Sequence, residues 1–266
     1  MDLIQAIILG LIQGLTEFIP VSSSGHLVLV PWLLGWEKPP LVFDTTLHWG
    51  TLLAVGTYFW RDLLAIARGM LSDSLASSPD AKLGWLLVLA TIPAVLVGVL
   101  FESQFEALFG EPVWVAGFLL ITGLLLWGSE SLGTRLRELG TLDWSDGALI
   151  GLAQALAITP GISRSGATIS MGLVRGLTRP AAARFSFLMM IPIVFGAGLV
   201  QLIELLQEGT TAAALTPMVV GFAAAAISGY AAIAFLLDFL ARRSVRLFAV
   251  YCWVFGLFCL LFALLT

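Results

Sequence analysis

The sequence predicts an all-α polytopic membrane protein built from two inverted-topology repeats. Each repeat is a re-entrant helical hairpin followed by three transmembrane helices. Composition carries the membrane half of that reading. Of 266 residues, 59% are hydrophobic and only 11% charged, against roughly 45–50% and about 25% in soluble domains. Mean hydropathy is +1.00. No soluble domain of this length hides so much apolar surface; disorder, a fibrous repeat and a disulfide scaffold are excluded with it. The spacing of the apolar runs and a duplicated polar motif carry the rest.

A bilayer core takes about 20 apolar residues per helix. Uncharged runs of that order cover residues 84–101, 112–129, 185–203, 209–237 and 247–266, and a shorter one covers 45–60. These are read as six transmembrane helices. Two further apolar regions, 3–36 and 147–174, are interrupted by clusters of Ser, Gly and Pro that hold Glu17 and His26, or Arg164. Irregular backbone at membrane depth survives only against protein or a water-filled cavity, so each is read as a hairpin that enters and returns. If the six spans alternate, Arg61, Arg68, Lys82, Arg135, Arg137, Arg175, Arg179, Arg184, Arg242, Arg243 and Arg246 share one side and Lys38 alone takes the other. The positive-inside rule makes that side cytoplasmic. Loops with Glu102, Glu106, Glu111 and Glu208 then face outward. The expected location is a bacterial inner (plasma) membrane, multi-pass.

The remaining bulk features say less. A net charge of −4 gives no sign of a nucleic-acid partner. Cys252 and Cys259 lie two turns apart on one helix, too far for a bridge. The opening residues Met1-Asp2-Leu3-Ile4 lack the basic region of a signal peptide, so none is expected.

The duplication appears when the chain is compared with itself at an offset of 141 residues. Gly10, Leu11, Gln13, Leu15, Ser22, Ser24 and Gly25 fall on Gly151, Leu152, Gln154, Leu156, Ser163, Ser165 and Gly166, seven identities in sixteen gapless positions. One membrane domain, 1–266, therefore divides into repeats of about 1–130 and about 142–266. Three spans follow each hairpin, and three is odd, so the second repeat inserts upside down. The two hairpin tips can then meet near the midplane, an arrangement shared with transporters.

The tips carry anion chemistry. A Ser/Gly turn opening a helix offers backbone N–H groups and a positive dipole end. Ser22, Ser23, Ser24, Ser163, Ser165 and Thr168 add hydroxyls, and Gly166 leaves room for close backbone approach. Arg164 adds a guanidinium fork suited to phosphate oxygens. An intramembrane Arg defaults to a functional site, the structural alternative being a simple clip to Glu17. Glu17 can hold a metal, act as a base or neutralise Arg164. His26 can be acid, base, phosphate donor or nucleophile, and a nearby serine with a histidine is the minimum kit for an activated nucleophile. Gln13, one turn before Glu17, adds an amide oxygen. One Arg and one His against one Glu cannot balance a diphosphate. A divalent cation held by Glu17 and Gln13, Mg²⁺ or Ca²⁺ by its oxygen ligands, would restore the balance. A phosphate site inside a membrane protein points to a lipid phosphate. His48, by contrast, reads as a packing or interfacial residue. Gly10 with Gly14, Gly147 with Gly151, and Gly172 with Gly176 read as close-approach spacings, and Pro93 and Pro192 as kinks.

The stretches Gln13-x3-Glu17, Pro20-Val21-Ser22-Ser23-Ser24-Gly25-His26 and Pro160-Gly161-x-Ser163-Arg164-Ser165-x2-Thr168 resemble the undecaprenyl-diphosphate phosphatases of the bacitracin-resistance type, over the whole chain. The resemblance implies hydrolysis of undecaprenyl diphosphate to undecaprenyl phosphate, which recycles the lipid carrier of cell-wall synthesis, at a site open to the outer face and dependent on a divalent cation. It implies that Glu17 and Gln13 serve metal and diphosphate, and that Arg164, Ser163, Ser165 and Thr168 bind phosphate. His26 and a serine of the first tip, Ser23 first among them, would carry out the displacement. A phosphoserine, a phosphohistidine and direct attack by water remain open at this point. The implied partners are a polyprenyl diphosphate and membrane lipids, with a homodimer compatible. The rival class is a secondary transporter or flippase of a phosphorylated lipid, distinguished by lipid movement without phosphate release. Ser24-Gly25-His26 also echoes the type-2 phosphatidic acid phosphatases, whose basic motif and second histidine this chain lacks.

Overall fold

The computed structural model describes residues 1–72, 78–208 and 212–265, without the side chains of 200–208 and 212–214. It is all-helical: α1 (Leu3–Phe18), α2 (Ser23–Leu34), α3 (Leu41–Tyr58), α4 (Trp60–Ser72), α5 (Pro79–Leu100), α6 (Glu102–Leu108), α7 (Pro112–Leu132), α8 (Trp144–Leu156), α9 (Arg164–Val174), α10 (Arg179–Glu208), α11 (Ala212–Arg242) and α12 (Arg246–Leu265). Among the described residues the sole β pairing is an isolated bridge between Arg137 and Leu177.

Local chemistry sets the boundaries. Asp2 and Asp143 each cap a helix in a reciprocal capping box, with Gln5 and Asp146 respectively, satisfying otherwise orphaned N–H groups. Pro79 and Pro112 open α5 and α7, where the missing N–H costs nothing. Gly35, at φ +65°, ends α2 in the left-handed conformation that glycine tolerates.

Five helices are long and apolar enough to cross a membrane: Pro79–Leu100, Pro112–Leu132, Arg179–Leu199, Leu215–Arg242 and Arg246–Leu265. They correspond to five of the six expected spans. In place of the sixth, α3 is an 18-residue helix that falls short in apolarity, because it carries Asp44, His48 and several threonines. Gly209 and Thr266, the ends of two expected runs, lie outside the described residues. Two short helices were read as connections: α4, with Arg61 and Arg68, and α6, with Glu102 and Glu106.

The chain is apolar outside and polar at its centre. Ile4, Val99, Leu124 and Val254 are 61–74% exposed, as suits a lipid-facing surface. Gln13, Glu17, His26, Gln154, Ser163, Ser165 and Thr168 are buried. α1 runs along α11, α8 along α5, α3 packs on α10 and α7 on α12. The α1–α11 and α8–α5 contacts need glycine. A Cβ on Gly10 would stand 2.5 Å from the Gly221 carbonyl oxygen, and one on Gly151 would stand 2.6 Å from that of Ala90. The sequence places both glycines in close-approach pairs, and they occupy such contacts. Cys252 and Cys259 are buried, unpaired and on one helix.

The arginines expected on one side meet through three carboxylates. Asp146 accepts from Arg137 and Arg175, each at 2.6 Å. Glu130 accepts from Arg135 at 2.7 Å, Arg179 at 2.6 Å and the Val245 amide at 3.0 Å. Asp62 accepts from Arg184 at 2.6 Å. These bonds tie the end of α9 to the start of α8 and the end of α7 to the starts of α10 and α12, and join the start of α4 to the first turns of α10.

Candidate active site

Two helix pairs build the centre. α1 leads into a short turn and α2; α8 leads into a longer turn and α9. Each second helix starts at a serine whose hydroxyl accepts the amide three residues on: Gly25 N–H to Ser22 Oγ at 3.2 Å, Gly166 N–H to Ser163 Oγ at 3.0 Å. Each capping serine also shares a hydroxyl contact two residues along, Ser22 with Ser24 at 3.3 Å and Ser163 with Ser165 at 3.2 Å. The second turn is braced by α7. Thr122 Oγ1 donates to the Gly161 carbonyl at 3.0 Å and accepts from the Ser163 amide at 2.9 Å.

The tips meet at Glu17. Its Oε1 accepts from Arg164 Nη2 at 2.9 Å, across 147 residues of chain. Its Oε2 accepts from Ser23 Oγ at 2.5 Å and from Gln13 Nε2 at 3.2 Å. Arg164 is steadied from behind by α10, with Nη1 donating to the Ser186 carbonyl at 3.0 Å. Its Nε is buried without a partner among the described residues. Charge thus sits in a nearly water-free place, where breaking a pair costs more than it does at a surface.

A cavity of about 190 Å³ lies against this pair. Glu17, Ser22, Ser23, Ser24, Ser163 and Arg164 line it, with Gln154 and His48; Phe109 and residues of α5 and α10 supply apolar wall. The positive ends of α2 and α9 and the Arg164 fork, paired with Glu17, therefore face one small space.

Not every expected residue reaches that space. Gln13 stands behind Glu17, fully buried, with its Oε1 unpartnered among the described residues. Thr168 bonds the Arg164 carbonyl and Ser186 Oγ, both at 2.7 Å, and so supports Arg164 from outside the lining. Ser165 and Gly166 sit one step behind Ser163. His26 points away, toward α12, its ring nitrogens 2.8 Å from the Ser22 carbonyl and 2.7 Å from Tyr251 Oη.

Two residues enter that the sequence left without a role. His48 lines the cavity with Nε2 3.8 Å from Glu17 Oε2, while its Nδ1 donates to the Asp44 carbonyl at 2.8 Å. Nothing local in α3 signals this. Gln154 lines the cavity and donates to the Ala90 carbonyl at 3.2 Å, leaving Oε1 unpartnered among the described residues. Its signal was available, because it is the repeat equivalent of Gln13.

The oxygens at the cavity are hard ones, the Glu17 carboxylate and serine hydroxyls, while Gln13 meets Glu17 through its Nε2. Among the described residues no three of His, Cys, Asp and Glu cluster into an all-protein metal cage. The set fits a hard cation that takes most of its oxygens from substrate phosphate and water.

Fold and site together define a multi-pass membrane protein with a buried, anion-directed polar centre. The chain belongs to the family described as bacitracin resistance protein BacA, whose model matches residues 6–258. It is 45% identical over 272 residues to an undecaprenyl-diphosphatase of Thermomicrobium roseum, covering 98% of each chain. It is 48% identical over 258 residues to one of Rubrobacter xylanophilus and 46% identical over 252 residues to one of Moorella thermoacetica, in both cases covering 94% of each chain.

Proposed function

We infer that this chain is an integral-membrane undecaprenyl-diphosphate phosphatase. It hydrolyses undecaprenyl diphosphate to undecaprenyl phosphate and inorganic phosphate, returning the carrier to cell-wall synthesis and conferring resistance to bacitracin. Family membership and the relatives' names support the reaction. The observation that carries the chemistry is the convergence of Ser23, Glu17 and Arg164 from two distant segments on one cavity. Ligand pockets for whole small molecules run to about 300–1,000 Å³. A cavity of about 190 Å³ suits a diphosphate headgroup, with the polyprenyl tail left among the spans.

In the proposed reaction Ser23 Oγ attacks the terminal phosphorus. Its proton passes to Glu17 Oε2 and on to the departing phosphate oxygen as the bond from phosphorus to the bridging oxygen breaks, so that undecaprenyl phosphate leaves and Glu17 is again a carboxylate. Arg164 and the N-terminal amides of α2 and α9 stabilise charge on the transferred group. Water, deprotonated toward Glu17, then releases phosphate from Ser23. The 2.5 Å contact between Ser23 and Glu17, and the position of His26 away from the cavity, favour serine over histidine as nucleophile. Glu17 would hold Mg²⁺ or Ca²⁺, with Gln13 steadying its carboxylate from behind; the ion neutralises phosphate charge when bound.

The inverted repeat is the architecture we propose. A two-fold exchange of halves maps the α1–α11 contact onto α8–α5 and leaves α3–α10 and α7–α12 in place. The hairpin helices have 16, 12, 13 and 11 residues, which is about 17–24 Å at 1.5 Å per residue, short of the roughly 30 Å hydrocarbon core. That supports re-entrant hairpins. Phe109, from the connection bearing Glu106 and Glu111, lines the cavity and supports an opening to the outer face of the inner membrane.

The test is phosphate release from undecaprenyl diphosphate by purified protein, with Mg²⁺ or Ca²⁺ and with EDTA. Metal-dependent release that collapses in Ser23→Ala is expected. Lipid movement across vesicles with no release by well-folded protein would sink the phosphatase and favour a flippase.

A further inference from the structure

His26 and Tyr251 are 225 residues apart in the chain and 2.7 Å apart in space. The ring of His26 is buried, stacked on Phe255 at 4.9 Å and on Tyr251 at 5.7 Å between centroids. The Ser22 carbonyl, 2.8 Å from Nδ1, can only accept, so Nδ1 carries a proton. In the neutral ring Nε2 is then an acceptor, and the Tyr251 hydroxyl donates to it. Tyr251 thereby anchors, through Nε2, the ring whose Nδ1–H holds Ser22.

Ser22 is where holding matters. It has φ +69° and ψ +96°, a conformation that non-glycine residues rarely adopt and that persists only when the surroundings enforce it. It immediately precedes Ser23, caps α2 and lines the cavity. Helix α12 contacts the same turn a second time, through Cys252 Sγ at 3.9 Å from the Pro20 carbonyl. The other tip is braced similarly by Thr122 of α7. So each tip is held by the last span of the other half of the chain.

We propose that Tyr251 is a positioning residue for the reaction: its hydroxyl anchors the His26 ring, whose Nδ1–H holds Ser22 and so aims Ser23 at phosphorus. The assignment rests on the phosphatase reading. It makes His26 a part of the scaffold whose proton stays on Nδ1 through turnover. Tyr251→Phe keeps both ring stacks and removes only the hydroxyl. His26→Asn keeps a donor near the Nδ1 position and loses contact with Tyr251.

Two measurements on the full chain in detergent test this. The first is ¹⁵N NMR of histidine nitrogens; the chain has only 2 histidines, so His26→Asn assigns the signals. The His26 proton is expected on Nδ1 in wild type, with the Nε2 signal displaced in Tyr251→Phe as its hydrogen bond is lost. A wild-type proton on Nε2 overturns the proposal. The second is phosphate release. Misplacing a reacting group costs roughly 10- to 100-fold, so Tyr251→Phe should lower kcat about tenfold with KM unchanged. His26→Asn should recover activity that His26→Ala loses. Wild-type kcat in Tyr251→Phe, or a raised KM at unchanged kcat, overturns the proposal, the latter pointing to contact with the lipid tail. Wild-type protein that releases no phosphate defeats the phosphatase reading instead, and the NMR result still decides the tautomer.

Discussion

Glu17 is the residue on which the site turns. Its carboxylate serves Arg164 on one oxygen and Ser23 and Gln13 on the other. If the pair were only a structural clip, replacing both ends with matched neutral groups would preserve everything. The physical expectation differs for stability and for activity. Glu17→Gln strands a buried guanidinium and should cost about 3–5 kcal/mol of stability. Glu17→Gln with Arg164→Met should recover most of that loss, since no buried charge is then left unpaired. Phosphate release should stay absent in the double variant. Thermal unfolding in detergent and the release assay together check this; activity in the double variant would reduce the pair to a clip. Glu17 and Arg164 were legible in the sequence because charge inside an apolar run demands a reason. His48 was not. A histidine one turn after Asp44 on a mixed helix looks like any interfacial histidine until α3 is laid beside α1.

At the scale of elements, α1 and α8 hold their places because they approach their neighbours closely. Gly151 meets the Ala90 backbone, whereas an added Cβ on Gly117 of α7 would meet open space. Gly151→Ala should therefore lose about 1–3 kcal/mol through overpacking. Gly117→Ala should gain up to about 1 kcal/mol from helix propensity. Thermal midpoints of the two variants in the same detergent check the contrast; equal midpoints would mean that α8 does not press on α5. The repeat at an offset of 141 residues made these contacts readable in advance, because Gly10 and Gly151 recur in equivalent places. The short helices α4 and α6 were not readable as elements. α4 is amphipathic, with Trp60, Leu64 and Leu71 exposed on one side and Ile66 and Gly69 buried on the other, and a search for apolar runs passes over such a helix. The shortfall of α3 in apolarity has a related cause. Asp44, His48 and its threonines lower its average, although Thr51 among them is buried.

For the whole molecule the open physical question is direction. Arg135, Arg137, Arg175, Arg179 and Arg184 are gathered by Glu130, Asp146 and Asp62, while the α6 region holds Glu102 and Glu106. With the arginine-rich end cytoplasmic, Ser103→Cys should react with a membrane-impermeant maleimide in intact cells. Arg243→Cys should react only after lysis. Cys252 and Cys259 are 0% and 1% exposed and should stay silent. The reverse labelling pattern would invert the protein and turn its cavity toward the cytoplasm.

By itself the sequence determined that this is a membrane protein, where its apolar runs lie, which polar residues are out of place in them, and that the polar motif occurs twice. Those properties are read along the chain: hydropathy, capping and local spacing need no partner. Tertiary structure alone decided which of the polar residues share a cavity. It brought Glu17 to Arg164 and Ser23, drew in His48 and Gln154, and turned His26 toward Tyr251. The contacts that settle those roles join residues 41, 147 and 225 positions apart. A side chain's direction depends on which helix packs beside it, and that choice is made by the three-dimensional fit of glycine faces and buried charges.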